Sequence, residues 1–446
     1  MKKIFLFLAF AGLSLSTASA QKKIPHAFRT CNEVYNRRTE IVLPQVKGYN
    51  CYKADFHIHT TYSDGRVNPA GRVIEAWNDG LDIIAITDHY EGYRNVKKFF
   101  KVTAGFNADG QPTKYSSAFD SNSIKMDFNA IHDEAVAQRD KSGYDMLIIK
   151  GCEMARNAKT HGHFNCLFLK DINTLYNKDL SIAFDNVHAQ GGLVIHNHPA
   201  YVRGTTAKSE WHTEVYNAGK IDGIEVANGF SFYPPIVRRS VEEKLFMVGG
   251  SDEHGETIRK YGSCGVYRTM TLVLAKELTE KAVRTALEKN RTLAYAYDNV
   301  IGSESLVREF FYNSVSMKVA YTSSKGAKTV VLTNTTSIPY TLRRDGKGAG
   351  IVVKPFHSVS YVVAKDKNLN LYGIYATPDF VTAVVYTMGV ERTSLTKPKI
   401  VEISYSYEKI VILTDQDTAS AAEVLTIGMS ELMDNVTVVG DVTYGR

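Results

Sequence analysis

Residues 81–89 read Leu-Asp-Ile-Ile-Ala-Ile-Thr-Asp-His. A run this short and this rich in β-branched side chains predicts a buried strand. It stops on an acid and an imidazole, Asp88 and His89. The same pattern recurs on either side of it. Residues 54–59 predict a strand closing on His57 and His59, and 146–150 a strand running into Gly151-Cys152-Glu153. Residues 163–169, 192–196, 223–227 and 245–250 continue the series. Helical spacing falls between the strands, at 69–78 (ending at Asp79-Gly80) and at 127–139. Repeated strand–helix–strand units predict an α/β fold with a parallel sheet, open or closed into a barrel. In both forms ligands gather at the carboxyl ends of the strands, and here the polar residues cluster at those ends.

The chain has 13 His, and eight of them stand at these ends with a set of acids: His57, His59, Asp64, Asp88, His89, Glu153, His161, His163, His196, His198, Asp252 and His254. Alternate residues of a strand share a face. The pairs 57/59, 161/163, 196/198 and 252/254 are therefore each expected to converge on one cation. Mixed imidazole and carboxylate suits Zn, Mn or Fe better than Ca. So many ligands exceed the needs of one ion and fit two or three, held about 3.5–4 Å apart. Such a centre favours phosphate-ester hydrolysis: an ion lowers the pKa of a bound water to give hydroxide, and together the ions neutralise the phosphoryl and leaving oxygens.

The stretches 53–64 (KADFHIHTTYSD), 84–89 (IAITDH), 151–153 (GCE), 161–165 (HGHFN), 192–199 (GLVIHNHP) and 250–254 (GSDEH) resemble, in order, the motifs of the polymerase and histidinol phosphatase (PHP) superfamily. The resemblance spans residues 51–300 and implies a distorted (β/α)7 barrel with a trinuclear metal centre. Carried over residue by residue, it implies that His57, His59, Glu153 and Asp252 hold one ion. Glu153, as the bridge, with His163 and His198 would hold the second, and Asp64, His89 and His254 the third. The His-Pro dipeptide selects His198 over His196, and the context His-Phe-Asn selects His163 over His161. That leaves His161 and His196 to supporting or substrate roles, and Asp88 to orienting His89 or a bound water; Asp88 and His196 are the catalytic candidates. Arg203, five residues after His198, is the candidate substrate-binding residue, since a guanidinium grips phosphate bidentately. The long segment 90–123, rich in Lys and aromatics, is a candidate cap over the site.

The expected activity is hydrolysis of a small phosphomonoester, with no stored intermediate on Ser or Cys. A phosphodiesterase or nuclease using the same metals, and a surface-binding protein with a vestigial barrel, are the alternatives. A net charge of +6 over 446 residues, without a basic stripe interleaved with aromatics, argues against nucleic acid. A composition of 44% hydrophobic and 22% charged residues excludes a disordered or collagen-like chain.

Residues 1–20 predict a secretory signal: Lys2 and Lys3, an apolar run over 4–15, and Ala18-Ser19-Ala20 before a cleavage after Ala20. The run is too short to span a bilayer, so a periplasmic or secreted protein with no membrane span is expected. Residues 21–50 form an N-terminal arm, 51–304 the barrel, 305–366 a small antiparallel β domain, and 367–446 a tail with no evident relation to either. Five cysteines and no regular spacing exclude a disulfide scaffold; Cys31–Cys51 is a candidate clip, and Cys152 and Cys166 are expected as buried small hydrophobes. Residues 407–446 resemble a fragment of the catalytic segment of the C-terminal processing peptidases. Ser420 matches the nucleophile, but Arg446 stands where that family has its lysine, and arginine cannot serve as a base; the fragment is read as inert.

Overall fold

The computed structural model describes residues 38–90, 126–155, 157–201, 203–344 and 347–363, and the stretches 369–372, 374–377, 401–402, 410–414 and 436–440. The chain divides into two compact units, 1–39 and 40–446, and the second holds every described strand and helix. The signal, Cys31, the segment 91–125, Ser420 and Arg446 lie outside the described residues.

In chain order the barrel region runs β1 (Asn50–Asp55), α1 (Pro69–Asn78), β2 (Ile83–Ile86), α2 (Asn129–Ser142), β3 (Leu147–Met154), a single turn α3 (Ala158–His161), β4 (His163–Leu167), α4 (Leu180–Ala189), β5 (Leu193–Asn197) and α5 (Glu210–Asn217). It continues through β6 (Gly223–Asn228), β7 (Ser231–Phe232), α6 (Pro234–Glu242), β8 (Phe246–Gly250), β9 (Met270–Ala275), α7 (Glu280–Glu288), β10 (Thr292–Ala296), β11 (Asn299–Ser303) and α8 (Glu304–Ser314). The strand β18 (Ile374–Thr377) joins the same curled sheet, whose order is β18-β11-β10-β9-β1-β2-β3-β4-β5-β6-β7, with β8 paired to β6. This mixed α/β barrel-like sheet is the fold class expected from the strand ends.

The sheet is not wholly parallel. β1, β2 and β3 are parallel, as are β5, β6 and β8, but β4 runs antiparallel to both β3 and β5. The reason is chain length: a parallel return needs a dozen or more residues of crossover, and only 155–162 separate β3 from β4. β4 thus begins where β3 ends, with Glu153 opposite Asn165 and the His163 side chain, two residues before it, still within reach of the Glu153 carboxylate. β9 is antiparallel to both β1 and β10.

Closure uses two devices. The Thr271 hydroxyl on β9 accepts from Gly249 N (3.0 Å) and donates to Gly249 O (2.9 Å), standing in for a missing ladder rung beside β8. Beyond the ends of β1 and β8 the chain pairs again, with His59 N donating to Glu253 O and Asp252 N to His57 O. Alternate strand residues fill the inside: Ala54, Phe56, Ile83, Ala85, Ile149, Leu167, Leu193, Ile195 and Val248 form one buried cluster. Their neighbours, including Ile84, Ile148, Phe164 and Val194, pack outward against the helices. Cys152 and Cys166 sit opposite each other on β3 and β4, both buried and both free thiols.

β12 (Val315–Thr322), β13 (Lys328–Asn334) and β16 (Ser358–Val363) form an antiparallel sheet, extended by β19 (Val401–Glu402). β14 (Tyr340–Arg344) pairs with β15 (Lys347–Val353) and β17 (Leu369–Tyr372) in a second sheet. The buried Asn334 amide ties them, donating to the carbonyls of Ile338, Val353 and Lys354. Three strands after 366 are related to the preceding chain, contrary to the sequence expectation: β17 extends a small sheet, β18 pairs with β11 of the barrel sheet and β19 with β12. Within 407–446, β20 (Ile410–Thr414) and β21 (Val436–Gly440) pair in parallel. No described helix is long and apolar enough to cross a membrane.

Candidate metal centre

Glu153, next to last on β3, is fully buried, and its carboxylate is the hub of the polar interior among the described residues. Five imidazole nitrogens lie around it: His89 Nδ1 at 2.7 Å, His163 Nδ1 at 3.2 Å, His57 Nε2 at 3.3 Å, His198 Nε2 at 3.5 Å and His59 Nε2 at 3.6 Å. The rings close a circuit, with centroids 5.2 Å apart for 57–59, 4.7 Å for 59–89, 5.3 Å for 89–163, 4.9 Å for 163–198 and 5.5 Å for 198–57. His254 stacks on His59 at 4.0 Å. Asp252 Oδ1 lies 3.2 Å from both His57 Nε2 and His59 Nε2, and Asp64 Oδ1 lies 3.3 Å from His254 Nε2.

Four overlapping ligand sets arise among the described residues: His59, Asp64, His89 and His254; His57, His198 and Asp252; His57, His59 and Glu153; His89, Glu153 and His163. Together they contain all nine sequence-derived ligands and no other residue. The partition differs in detail from the one the resemblance implies, since His59 also joins the Asp64 set and His198 groups with Asp252. The donor set fits divalent cations on its own evidence. His57 Nε2, His59 Nε2 and Glu153 Oε2 are buried and make no well-aligned hydrogen bond, although imidazole and carboxylate atoms crowd around them at 2.7–3.6 Å, an arrangement that suits ligand atoms facing a shared cation.

Backbone geometry aims the ligands. His198 (φ 23°) and Asp252 (φ 52°) both sit in the left-handed region just beyond strand ends, which costs strain that surrounding bonds must hold. The holder for His198 is Glu225 on β6, whose Oε2 accepts from His198 N at 2.7 Å. Its Oε1 receives His57 Nδ1 at 2.7 Å, which fixes the tautomer that presents the Nε2 lone pair to the cup. Asn197 donates to Glu153 Oε1 at 2.7 Å. Arg72 of α1 is wholly buried and clamps two ligand loops, donating to His59 O, Glu253 O and Gly255 O. Asp55 accepts from His57 N and Ser251 N at 3.1 Å and pairs with the buried Arg268 at 2.5 Å. None of Glu225, Asn197, Arg72, Asp55 or Arg268 was a sequence candidate. The signal available was a charged residue inside an apolar strand, as in Gly-Ile-Glu-Val-Ala at 223–227.

Charges couple tightly. Burial disfavours ionisation of Glu153, but the imidazoles of His89 and His57 outweigh it and hold the carboxyl well below its usual range. Asp252 is likewise held down against burial, chiefly by His57. For His89 burial is overcome by Glu153, and the pKa rises to about 9; for His57 it is overcome by Asp252, Glu225 and Glu153. His59 shows the opposite balance: burial wins and lowers it to about 3.

The catalytic candidates stand elsewhere than expected. Asp88 is buried, and its oxygens accept from Thr60 N (2.6 Å), Thr60 Oγ1 (2.5 Å) and Ser63 Oγ (2.5 Å). It braces the loop after His59, while the Nδ1 of His89 is turned to Glu153 instead. His196 does not share a face with His198. On β5, Leu193 and Ile195 point inward and Val194 outward, so His196 faces outward too, stacked on Phe164 (4.8 Å) and His212 (5.1 Å) with Nδ1 2.7 Å from the Tyr216 hydroxyl. Only the left-handed step returns His198 to the cup. His161 likewise parts from His163, because it belongs to α3 and lies against Trp211 at 3.9 Å. Arg203 donates to Ala207 O and lies beside Gly162 and the outward His196.

Comparison with known proteins agrees with this geometry. The PHP domain model matches residues 55–346. A two-domain protein from Bacteroides vulgatus, containing a predicted PHP-like metal-dependent phosphoesterase, is 32% identical with a TM-score of 0.65, over 77% of this chain and 97% of that one. This chain belongs to the PHP domain family. A putative metal-dependent phosphoesterase from Bifidobacterium adolescentis is 16% identical over 53% of this chain and 96% of its own, with a TM-score of 0.34. A lesion-specific endonuclease from Pyrococcus furiosus is 13% identical over 57% and 59%, also at 0.34. No curated protein matches.

Proposed function

We propose that the chain is an exported metal-dependent phosphomonoesterase with a trinuclear centre at Glu153. The observation that carries this reading is one buried carboxylate within 3.6 Å of five imidazoles, flanked by Asp252 and Asp64. His57, His59, Glu153 and Asp252 would hold one ion, Glu153, His163 and His198 a second, and Asp64, His89 and His254 a third. The Bacteroides vulgatus relative supports the reaction class. Bound divalent ions of the Mn, Fe or Zn type would supply Lewis acidity toward water and phosphoryl oxygens.

The chain's own groups prepare that chemistry. Glu225 keeps a proton on His57 Nδ1, so Nε2 is the nitrogen that would give up its proton and offer its lone pair to an ion in the cup. Asn197 fixes the rotamer of Glu153 through its Oε1. Arg72 locks the backbones at 59, 253 and 255 together, so ligands from opposite ends of the sequence keep their spacing. Asp64 and His254 are the exposed members, with side chains 40% and 38% accessible, and mark the side from which a substrate enters.

The test is hydrolysis by the full chain of p-nitrophenyl phosphate, of bis-p-nitrophenyl phosphate and of single-stranded DNA, with Mn, Fe or Zn added and then chelated. Metal-dependent cleavage of the monoester is expected. Preference for the diester or DNA would replace the monoesterase by the nuclease alternative, and metal binding without hydrolysis would favour a binding protein. Export is supported by residues 1–20 and is tested by sequencing the mature N-terminus, expected at Gln21.

A further inference from the structure

Large apolar side chains stand in water at the mouth of the metal cup. Among the described residues the four most exposed are Tyr201 (74%), Ile258 (70%), Phe356 (59%) and Phe230 (52%). Three of them follow β5, β6 and β8, which are neighbours in the sheet. Tyr201 comes three residues after His198, Phe230 stands in the turn between β6 and β7, and Ile258 comes four residues after His254. A single exposed hydrophobic residue needs no explanation, whereas a group of them around one opening marks a contact surface.

Tyr201 is held against the centre itself. Its N donates to His198 O at 2.9 Å, closing a turn, and its ring meets the His198 ring edge to face with centroids 5.2 Å apart. That same imidazole places Nε2 3.5 Å from the Glu153 carboxylate. One side of the tyrosine therefore rests on a candidate metal ligand, while most of its surface faces water. The Phe230 turn is fixed as well: Gly229 N donates to Gly250 O at 2.9 Å, and the ring packs on Tyr297 and Tyr261 at 4.7 and 5.5 Å.

A phosphate ester held in the cup by its phosphoryl oxygens must lay its alcohol half along this rim. A polyol would set hydroxyl groups against apolar rings that offer them few partners. A flat aromatic group would instead bury area and stack on the open side of Tyr201. We propose that Tyr201 determines specificity as a stacking platform, and that the substrate is an aryl or arylmethyl phosphomonoester, with Phe230 and Ile258 extending the apolar rim. This deepens the phosphomonoesterase reading and rests on it for the phosphoryl half.

Benzylphosphonate and ethylphosphonate test the platform, because their C–P bonds are not hydrolysed and binding is read whether or not the chain turns over esters. Each is titrated calorimetrically into full-length, metal-loaded protein, with bound metal and thermal melting measured for every variant. Wild type is expected to prefer benzylphosphonate. Tyr201→Ala should weaken benzylphosphonate by about three- to tenfold, the worth of one aromatic contact, and leave ethylphosphonate binding and metal content in place. Tyr201→Phe, which keeps the ring, should behave as wild type. No preference in the wild type, or the same change for both ligands in Tyr201→Ala, overturns the proposal. So does a Tyr201→Phe variant that falls as far as Tyr201→Ala, since that assigns the effect to the hydroxyl. Hydrolysis of p-nitrophenyl phosphate is followed separately. Aryl preference without turnover keeps the platform and removes the phosphomonoesterase; turnover without aryl preference does the reverse.

Discussion

Replacing Glu225 by Gln probes the part of the site that lies beneath the ligands. In the native protein one carboxylate serves three donors: His57 Nδ1 at 2.7 Å, His198 N at 2.7 Å and Asn228 Nδ2 at 2.9 Å. A glutamine has the same shape but only one acceptor oxygen. Facing that oxygen toward His198 N and Asn228 satisfies two donors and turns the amide NH2 toward His57 Nδ1. The imidazole then has to accept at Nδ1, which moves its proton to Nε2 and removes the lone pair from the cup. The opposite orientation spares His57 but sets an NH2 against two N–H groups at the strained His198. Either way a ligand is lost or misaimed. Partners of metal-bound histidines typically account for about 10–100-fold in metal affinity or activity, or about 1.4–2.7 kcal/mol. Competition against a chromophoric chelator, with thermal melting to confirm folding, measures the loss. Glu225→Gln binding metal as tightly as wild type would refute the tautomer argument.

The same contacts fix further outcomes. Asp252→Ala removes the carboxylate shared by His57 and His59 and should lower both bound metal and turnover on a phosphomonoester by more than the roughly hundredfold of a supporting residue; full turnover in that variant would remove Asp252 from the centre. Metal uptake should release protons. The pKa of His89 is raised to about 9 and that of His57 also lies above the ordinary value, so the metal-free rings hold protons that a cation must displace. Affinity should therefore climb with pH below about 9, approximately tenfold per pH unit for each displaced proton, and titration heats should depend on the buffer's ionisation enthalpy; heats independent of buffer would contradict the shifts. Arg268→Leu strands the buried Asp55 carboxylate, and losing one partner of a buried pair costs about 3–5 kcal/mol, to be seen as a clear fall in the thermal midpoint and missed if the midpoint holds.

Much of the site was legible because each ligand sits where a strand-like run meets polar sequence: Glu153 after Leu-Ile-Ile-Lys-Gly-Cys, His89 after Ile-Ala-Ile-Thr-Asp. Of the period-two pairs, His57 and His59 stand in one ligand set, whereas Asp252 and His254 fall in different sets, and both pairs lie beyond the ends of β1 and β8. Period-two reasoning failed for 161/163 and 196/198 for local reasons. His161 lies on a helical turn, where alternation has no meaning, and the φ of 23° at His198 breaks the alternation between it and His196. The direction of β4 was hidden in a connection too short for a crossover. The supporting shell of Glu225, Arg72 and Asp55 left only the faint signal of a charge within an apolar run, because a charged residue in a strand or helix looks the same in sequence whether it faces water or the interior. Returning strands such as β18 escaped notice because pairing with β11 joins segments over seventy residues apart, and four residues carry no periodic signal that names a partner.

The most direct measurement of the central claim is the metal bound per chain in purified full-length protein, located by anomalous scattering from crystals grown with Mn or Zn. The account predicts two or three peaks inside the ring of His57, His59, His89, His163 and His198 around Glu153, and their loss in Glu153→Gln. Protein saturated with metal whose peaks lie anywhere else, or a ring that stays without a peak, would contradict it.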